Sequence, residues 1–373
     1  MKIGFDAKRL YNNFTGLGNH SRTTIDILTA EFPDNEYYLY TPKMRLNDVT
    51  RPYMERKGCH TVQPHGMIKG SAWRTYGLAK DLKRDGIELF HGLSNEMPVG
   101  LFHSNIASVV TIHDVAFCTF PDMYHWHDRM IYNAKWQYAC NHADHIIAIS
   151  ECTKRDILKF YHVPVHKIDV VYQPVHQRYY TPIEKSDTTP YLLYVGAINS
   201  RKNLLGIVKA MELLPKDLQI PLVVVGGGSS YKQKVQQYVA EHGMEHLVKW
   251  SPNVNDDELH QLYANAQMLV YPSFYEGFGL PVVEAQLSGC PVVTSNVSSL
   301  PEAGGDFALQ ADPHHPEDIC DQMKKLLTDE TLRQTLIQGG RQYAMQTFHP
   351  SVLARQLMEV YKKCVCDAVI VGK

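Results

Sequence analysis

Residues 273–288, SFYEGFGLPVVEAQLS, contain two glutamates, Glu276 and Glu284, that are separated by seven residues. The glycines between them leave backbone N–H groups open to a close ligand, and Pro281 suits the start of a helix. We therefore predict a strand at 268–271, a loop, and a helix that begins at about Pro281. A helix N-terminus attracts phosphate, whereas carboxylates beside it can bind hydroxyls. Together they indicate a ligand that joins a sugar to a nucleotide diphosphate.

The same stretch also allows a purely structural interpretation. Ser273 and Glu276 match a capping box, and Glu284 in a first helical turn would complement the helix dipole. Gly277 and Gly279, however, are poor residues for starting a helix directly after Ser273. From the chemistry of the residues alone, both interpretations stay open.

Length and composition are those of a two-domain globular enzyme. The chain has 373 residues, of which 44% are hydrophobic and 20% charged, and its net charge of −2 does not suggest nucleic-acid binding. The start, MKIGFDAKRL, reads as a strand rather than a signal peptide, and no apolar run is long enough to span a membrane. The eight cysteines form no Cys-x-x-Cys pair, which favours reduced thiols in a cytoplasm. Since no Asp-x-Asp triplet occurs, we expect no metal at the diphosphate.

Short apolar segments alternate with helical segments along the chain, which is typical of parallel α/β sheets. We predict strands at 2–6, 37–40, 89–91, 107–113, 145–149, 169–172, 191–195, 222–225, 248–250, 268–271 and 291–294. Helices are expected at 19–31, 72–84, 125–141 and 152–160. The polar, proline-containing stretch 173–190 reads as a linker. This organisation predicts an N-terminal domain at 1–176, a C-terminal domain at 177–350 and a last helix within 351–373.

Two segments of the first half are candidate ligand sites. Gly16 and Gly18 form a flexible loop before a helix that should begin near Asn19, although a plain tight turn explains them as well. His113 ends an apolar strand, and the carboxyl ends of parallel strands border the crevice where α/β proteins bind ligands. A hydrogen-bonded histidine that fixes the next loop is the alternative.

In the second half, GAINSRKN at 196–203 follows the strand predicted at 191–195. Gly196 permits a close turn, and Arg201 and Lys202 precede a helix whose dipole they oppose. A bound anion would remove this conflict, which makes the segment a candidate phosphate site. Ordinary solvated surface charge is the alternative.

The pattern Glu-Gly-Phe-Gly-Leu-Pro-x-x-Glu-Ala at 276–285 closely resembles the signature of retaining nucleotide-sugar glycosyltransferases of the large family called GT4. The resemblance extends over nearly the whole chain. It implies an α/β architecture of the GT-B type, with two Rossmann-like domains whose parallel sheets face a central cleft and a last helix that returns to the first domain. It also implies transfer of a hexose from a nucleotide-diphosphate sugar to an acceptor hydroxyl with retention, and the missing Asp-x-Asp triplet favours a reaction without a metal.

The resemblance assigns roles to individual residues. The catalytic groups would be His113 beside the donor sugar, Arg201 and Lys202 on the phosphates, and Glu276 on the sugar hydroxyls. Glu284 would bind the ribose. The full set of expected donor contacts is Gly16, Gly18, Gly196, Val254, Phe278, Gly279, Leu280 and Glu284. Many members carry arginine directly after the glycine of the 196–203 segment, where this chain has Ala197, and Arg201 is the candidate substitute.

The segments TIHD and SRKN look most like those of mannosyl- and related hexosyltransferases, which makes GDP-mannose the first candidate donor and a UDP-sugar the second. Residues 43–84 carry ten basic side chains against three acidic ones, interleaved with Tyr53, Met54, Met67, Ile68, Trp73 and Tyr76. This mixture suits an anionic membrane surface, and a solvated face with Trp73 in the core is the alternative. We therefore expect a cytoplasmic enzyme that docks on the inner membrane face and glycosylates a glycan or lipid-linked acceptor in polysaccharide or glycolipid synthesis.

Three other functions stay open. A GT-B nucleotide-sugar epimerase would isomerise the donor without an acceptor. A Rossmann dehydrogenase is disfavoured because Gly-x-Gly-x-x-Gly is missing. A sugar-nucleotide sensor without catalysis is disfavoured by the intact set of Glu276, Glu284, Lys202 and His113.

Overall fold

A computed structural model of the chain describes residues 1–65, 69–186, 189–228 and 230–370. The chain divides into two compact units, one formed by Met1–Pro174 with the helix that begins at Pro350, the other by Val175–His349. Each unit is built on one parallel sheet. The predicted α/β class with two parallel sheets is therefore confirmed.

The first unit contains a seven-stranded sheet in the order β3-β2-β1-β4-β5-β6-β7. Its strands are β1 Lys2–Asp6, β2 Glu36–Tyr40, β3 Cys59–Val62, β4 Leu89–Gly92, β5 Ala107–Ile112, β6 His145–Ala148 and β7 Ile168–Val170. Its helices before the second unit are α1 Lys8–Asn12, α2 Gly16–Glu31, α3 Pro52–Glu55, α4 Gly70–Ala72, α5 Leu78–Arg84, α6 Ala116–Thr119, α7 Trp126–His142 and α8 Glu151–Tyr161. All six residues of β5 are buried, as expected for a central strand that is covered on both faces.

The second unit contains a six-stranded sheet in the order β10-β9-β8-β11-β12-β13. Its strands are β8 Leu192–Val195, β9 Leu222–Val225, β10 Val248–Ser251, β11 Met268–Tyr271, β12 Val292–Ser295 and β13 Leu309–Ala311. Its helices are α9 Leu204–Leu213, α10 Ser230–Glu241, α11 Asp256–Asn265, α12 Leu280–Leu287, α13 Leu300–Gly304, α14 Pro316–Thr328 and α15 Glu330–Thr347. The chain order reverses between the neighbours β8 and β11, and such a switch point is where open parallel sheets bind ligands.

The last helix, α16 (Pro350–Ile370), packs in the first unit against α2 and β5. Leu353, Leu357 and Tyr361 on one face of this helix are buried. The Tyr361 hydroxyl lies 2.6 Å from Nδ1 of His91 in β4, so a polar contact fixes the helix as well. The first unit is thus completed by residues from the far end of the chain.

The structure differs from the sequence predictions at a few elements. The edge strands β3 and β13 lie outside the predicted strands, because both are short and only partly buried and so lack a clear apolar run. Helix α2 begins at Gly16 rather than near Asn19. The segment Trp73–Gly77, inside the helix predicted at 72–84, forms a π-helical turn between α4 and α5. Within the part of the chain that the structure describes, no helix has both the length and the apolar composition of a membrane span.

Candidate active site

Glu276 lies in the loop that joins β11 to α12, at the carboxyl end of the second sheet, and its side chain is almost fully buried. Oε1 of Glu276 accepts hydrogen bonds from Lys202 Nζ at 2.8 Å, Ser273 Oγ at 2.8 Å and Tyr271 OH at 3.0 Å. Oε2 accepts one from Arg201 Nη1 at 3.0 Å. Four donors, from the end of β11 and from the loops after β8 and β11, therefore converge on one carboxylate. We call these five side chains the Glu276 cluster.

The two cations of the cluster stabilise the charged form of Glu276. Burial by itself would raise the pKa of Glu276, but the positive charges of Lys202 and Arg201 outweigh it and lower this pKa to about 2. The carboxylate is ionised at any physiological pH. The anion that the sequence predicts beside Arg201 and Lys202 is thus supplied, in this structure, by Glu276 itself.

Asn203 fixes the segment that carries the two cations. Its backbone has a φ of 55°, in the left-handed region, and its side-chain oxygen accepts a hydrogen bond from Gly206 N at the start of α9. Its Nδ2 donates to the carbonyls of Pro272 and Pro313 at 3.2 and 2.8 Å. Because Pro272 directly follows β11, Asn203 ties the loop after β8 to the loop that carries Glu276.

Gly196 makes room for Lys202. Its φ is 143°, which L side chains rarely adopt, and a Cβ at this position would lie 3.1 Å from Cδ of Lys202. Gly226, after β9, approaches the backbone of Gly196 so closely that a Cβ there would lie 2.0 Å from its carbonyl oxygen. These two glycines allow the loops after β8 and β9 to meet while leaving space for the lysine side chain.

The loop between the two glutamates is held by serines. Ser298 Oγ accepts a hydrogen bond from Glu276 N at 3.1 Å, and Ser299 Oγ donates to the carbonyls of Glu276 and Phe278 at 2.8 and 2.6 Å. Gly279, with a φ of 124°, precedes α12, which begins at Leu280. The capping-box interpretation is therefore wrong: residues 272–279 form a loop, and the helix begins one residue before the expected proline.

Glu284 makes its hydrogen bond to a residue outside the Glu276 cluster. It stands in the second turn of α12, where Tyr263 OH donates to its Oε2 at 2.9 Å. Burial raises the pKa of Glu284 to about 7. The interpretation of Glu284 as a simple first-turn dipole partner is wrong, because the residue is half-buried one turn further on. The two glutamates of the signature thus have opposite electrostatic environments.

Val254 lies at a cavity of about 760 Å³ that runs along α11. Ile183, Tyr191, His260 and Leu262 also line it. The cavity lies within the second unit, and most of its wall is apolar. Among the described residues, no group of three or more His, Cys, Asp or Glu side chains is arranged to hold a metal ion.

In the first unit, His113 directly follows β5 and is 5% exposed. Its Nε2 lies 2.8 Å from the Leu93 carbonyl, which can only accept, so Nε2 carries a proton. Nδ1 then accepts from the Gln173 amide at 2.9 Å. Burial lowers the pKa of His113, which keeps the ring neutral. Both nitrogens are bonded to protein groups, as in the interpretation of a histidine that fixes neighbouring loops.

His20 lies next to His113, with the two rings perpendicular and their centres 4.6 Å apart. It is 6% exposed, and neither of its ring nitrogens has a hydrogen-bond partner among the described residues. Sequence reasoning missed it, because a single histidine in the first turns of an amphipathic helix carries no distinctive signal.

The two glycines of the first loop have different roles. A Cβ at Gly18 would lie 1.8 Å from the Asn13 carbonyl oxygen, whereas Gly16 has open space around it. The Asn13 side chain accepts hydrogen bonds from the backbone N–H groups of Thr15 and Gly18 at 2.9 and 3.1 Å. Gly18 is therefore required by packing at the start of α2, and the expected flexible loop is shorter than predicted.

Among the described residues, three of the ten basic side chains in the region 43–84 are paired with acidic residues, namely those of Arg56, Arg74 and Arg84. Arg74 is buried and bonded to Asp6 and Glu96, and Arg84 is paired with Asp81 and Asp85. Among the interleaved apolar and aromatic residues, Tyr53 and Trp73 are buried, Met54 and Tyr76 are exposed, and Met67 and Ile68 lie outside the described residues. For Trp73 the membrane interpretation is therefore wrong, and its place in the core is confirmed.

Comparison with known proteins gives the family. Residues 23–178 match the model described as Glycosyltransferase Family 4, and residues 178–343 match the model described as Glycosyl transferases group 1. The chain belongs to the family 4 glycosyltransferases. This glycosyltransferase is 29% identical over 388 residues to O-antigen chain mannosyltransferase B of Escherichia coli, covering 97% of the chain and 100% of the relative.

Further similarities extend to other organisms. RfbU, an O-antigen chain mannosyltransferase of Salmonella typhimurium, is 30% identical over 204 residues, which are 55% of this chain and 56% of the relative. Among solved structures, Anabaena HepE in complex with UDP has a TM-score of 0.74 at 16% identity, covering 97% of this glycosyltransferase and all of that chain. The likeness in structure concerns the fold.

Proposed function

We propose that this glycosyltransferase moves a hexose from a nucleoside-diphosphate sugar to an acceptor hydroxyl, with retention at the anomeric carbon. The observation that carries the proposal is the Glu276 cluster at the switch point of the second sheet. Two cations and one carboxylate stand there side by side. A diphosphate needs the cations, and sugar hydroxyls need the carboxylate.

The cations would bind the diphosphate and stabilise its growing charge as it leaves. Lys202 and Arg201 are held on short loops by Asn203 and by the Glu276 cluster, so their positive charge is in place before a donor binds. Prearranged positive charge in a partly buried site is an effective form of transition-state stabilisation. We expect turnover without a divalent metal.

Glu276 would position the sugar rather than attack it. Its oxygens already accept four hydrogen bonds and its pKa is about 2, which disfavours it as a nucleophile. We therefore favour front-face attack: the acceptor oxygen bonds to the anomeric carbon, the bond from that carbon to the phosphate oxygen breaks, and the acceptor proton passes to the departing phosphate. Glu284 would bind the ribose, and Val254 would lie beside the base. The sugar contact assigned to His113 stays a prediction, since it competes with that ring's bonds to Leu93 and Gln173.

Mannose is the first candidate for the sugar, because two relatives are named O-antigen chain mannosyltransferases. GDP-mannose is the corresponding donor, and a UDP-sugar is the second candidate because the structurally similar HepE is in complex with UDP. The acceptor would be a glycan or lipid-linked precursor of a surface polysaccharide. We place the enzyme in the cytoplasm, docked at the inner membrane face.

The experiment is a thermal-shift series with GDP, UDP and ADP, followed by incubation with the matching nucleotide-hexose and analysis of the anomeric configuration by NMR. A ligand that binds the native state raises the melting temperature, and at equal concentration the ligand with the higher affinity raises it more. We expect GDP to give the larger shift, EDTA to leave turnover unchanged, and an α-linked donor to give an α-linked product. Equal shifts would contradict the donor assignment, and an inverted product would contradict retention.

A further inference from the structure

Tyr271, the last residue of β11, connects the two charged ends of the Glu276 cluster. Its side chain is 1% exposed, and its hydroxyl hydrogen bonds to both Lys202 Nζ and Glu276 Oε1. Ser273 also reaches Glu276 but is placed on the other side of Pro272, in the loop. Among the described residues, Tyr271 is the neutral side chain that touches both the lysine and the carboxylate.

The direction of these hydrogen bonds follows from their partners. An ammonium group can only donate, and an ionised carboxylate can only accept. The Tyr271 oxygen therefore accepts from Lys202, and its hydrogen points to Glu276. Burial raises the pKa of Tyr271 well above its ordinary value, so the phenol keeps its proton. The hydrogen bonds from Lys202 to Tyr271 and from Tyr271 to Glu276 therefore run in one fixed direction.

This arrangement matters when a diphosphate arrives. The phosphates attract Lys202 and Arg201, and each cation that turns towards them leaves Glu276 short of one donor. Tyr271 and Ser273 carry no charge, so the phosphates attract them less strongly than they attract the two cations. The Lys202 ammonium also lies 4.8 Å from the centre of the Tyr271 ring, so the lysine can change partners while keeping contact with the ring.

We infer that Tyr271 is a positioning residue, which holds the Glu276 carboxylate in place while Lys202 transfers from that carboxylate to the donor diphosphate. The inference rests on the proposed function and assigns the reaction a further residue. Without the phenol oxygen, Ser273 would be the one uncharged side chain of the cluster that still donates to Glu276. In the loaded enzyme the Glu276 carboxylate would then lose its orientation towards the sugar hydroxyls. The loss of the phenol should matter only when the donor is bound, because in the unloaded enzyme both cations remain bonded to Glu276.

The test is Tyr271→Phe, which keeps the ring beneath the lysine and removes only the oxygen. We expect kcat to fall roughly 10-fold or more, while the donor KM and the Kd for the free nucleoside diphosphate change less than about threefold. The matched control is Tyr343→Phe in the same unit, which removes a 2.7 Å hydrogen bond from the phenol to the Glu302 carbonyl, outside the cluster. That control should keep kcat within about twofold.

A double-mutant cycle separates positioning from a structural effect. In a Glu276→Gln background, Tyr271→Phe should lower kcat by less than about twofold, because residues that act as a unit are not additive. Full multiplication of the two effects would overturn the inference, as would a Tyr271→Phe enzyme with unchanged kcat, or a loss of kcat that follows the unfolded fraction. If the unaltered enzyme transfers no sugar from any nucleotide-hexose and binds no nucleoside diphosphate, the proposed function falls and this inference with it.

Discussion

At the scale of the residue, Glu276 should combine a functional and a structural role. Glu276→Gln removes the counter-charge of Lys202 and Arg201 and weakens the grip on the sugar hydroxyls. We expect kcat to fall roughly 10²-fold and stability to drop by about 3 kcal/mol, the lower end of the range for a buried ion pair that loses one partner. Kinetics and urea unfolding measure the two effects, with the exposed Glu359→Gln as control. Near-full activity in Glu276→Gln would refute the positioning role.

The raised pKa of Glu284 predicts that this residue makes the folded protein less stable as the pH rises. A folded-state pKa of about 7, above the ordinary value of 4.5, means that the protonated form is favoured by folding. The contribution to stability is therefore complete below about pH 4.5 and is lost as the pH rises through 7. Glu284→Gln should abolish this part of the pH dependence. Unfolding of both proteins between pH 5 and 8 checks it, and parallel curves would contradict it.

The sequence identified Glu276, Arg201 and Lys202 as separate candidates but could not predict their contact. Two cations before a helix are a local conflict, and local conflicts are visible in a sequence. Their partner lies 74 and 75 residues further along and meets them only because β11 pairs with β8. Tyr271 was missed for the same reason, since it reads as the end of an ordinary apolar strand.

At the scale of the element, the loop after β8 should be intolerant of a side chain at one position. Gly196→Ala would place a methyl group against the aliphatic part of Lys202 and would strain a backbone with φ of 143°. We expect affinity for the free nucleoside diphosphate to fall roughly 10-fold, corresponding to about 1.4 kcal/mol. The control is Gly227→Ala, because Gly227 has open space around it and no positive φ. Calorimetric titration of both variants makes the comparison, and equal affinities would contradict the packing argument.

The alternation of strands and helices was sufficient to predict the class of both sheets, because buried parallel strands are apolar throughout. Element ends were less predictable. Helix α2 begins at Gly16 because the Asn13 side chain accepts from the Gly18 N–H group within its first turn. That contact depends on the side-chain orientation of one residue, and the spacing of apolar residues in the sequence does not predict this orientation.

At the scale of the whole molecule, docking to an anionic membrane stays a prediction. Fewer basic residues are available to contact the membrane than the sequence suggested. Lys80 and Lys83 are exposed, whereas Arg84 is paired with Asp81 and Asp85. Reversal of both lysines to glutamate should reduce co-sedimentation with anionic liposomes, and binding should fall as salt rises. Reversal of the exposed Lys324 and Lys325 on α14 is the control. Equal sedimentation with neutral and anionic liposomes would refute docking.

The return of α16 to the first unit has a consequence for synthesis on the ribosome. Tyr361 meets His91 across 270 residues of chain, so the face of the first sheet that this helix covers stays open until the second unit has been translated. At translation rates of about 5–20 residues per second, this delay is on the order of ten seconds or more. The second unit, which is continuous in sequence, can reach its native packing first. The nascent first unit meanwhile presents uncovered apolar surface, which makes it the part of the newborn chain that chaperones would bind.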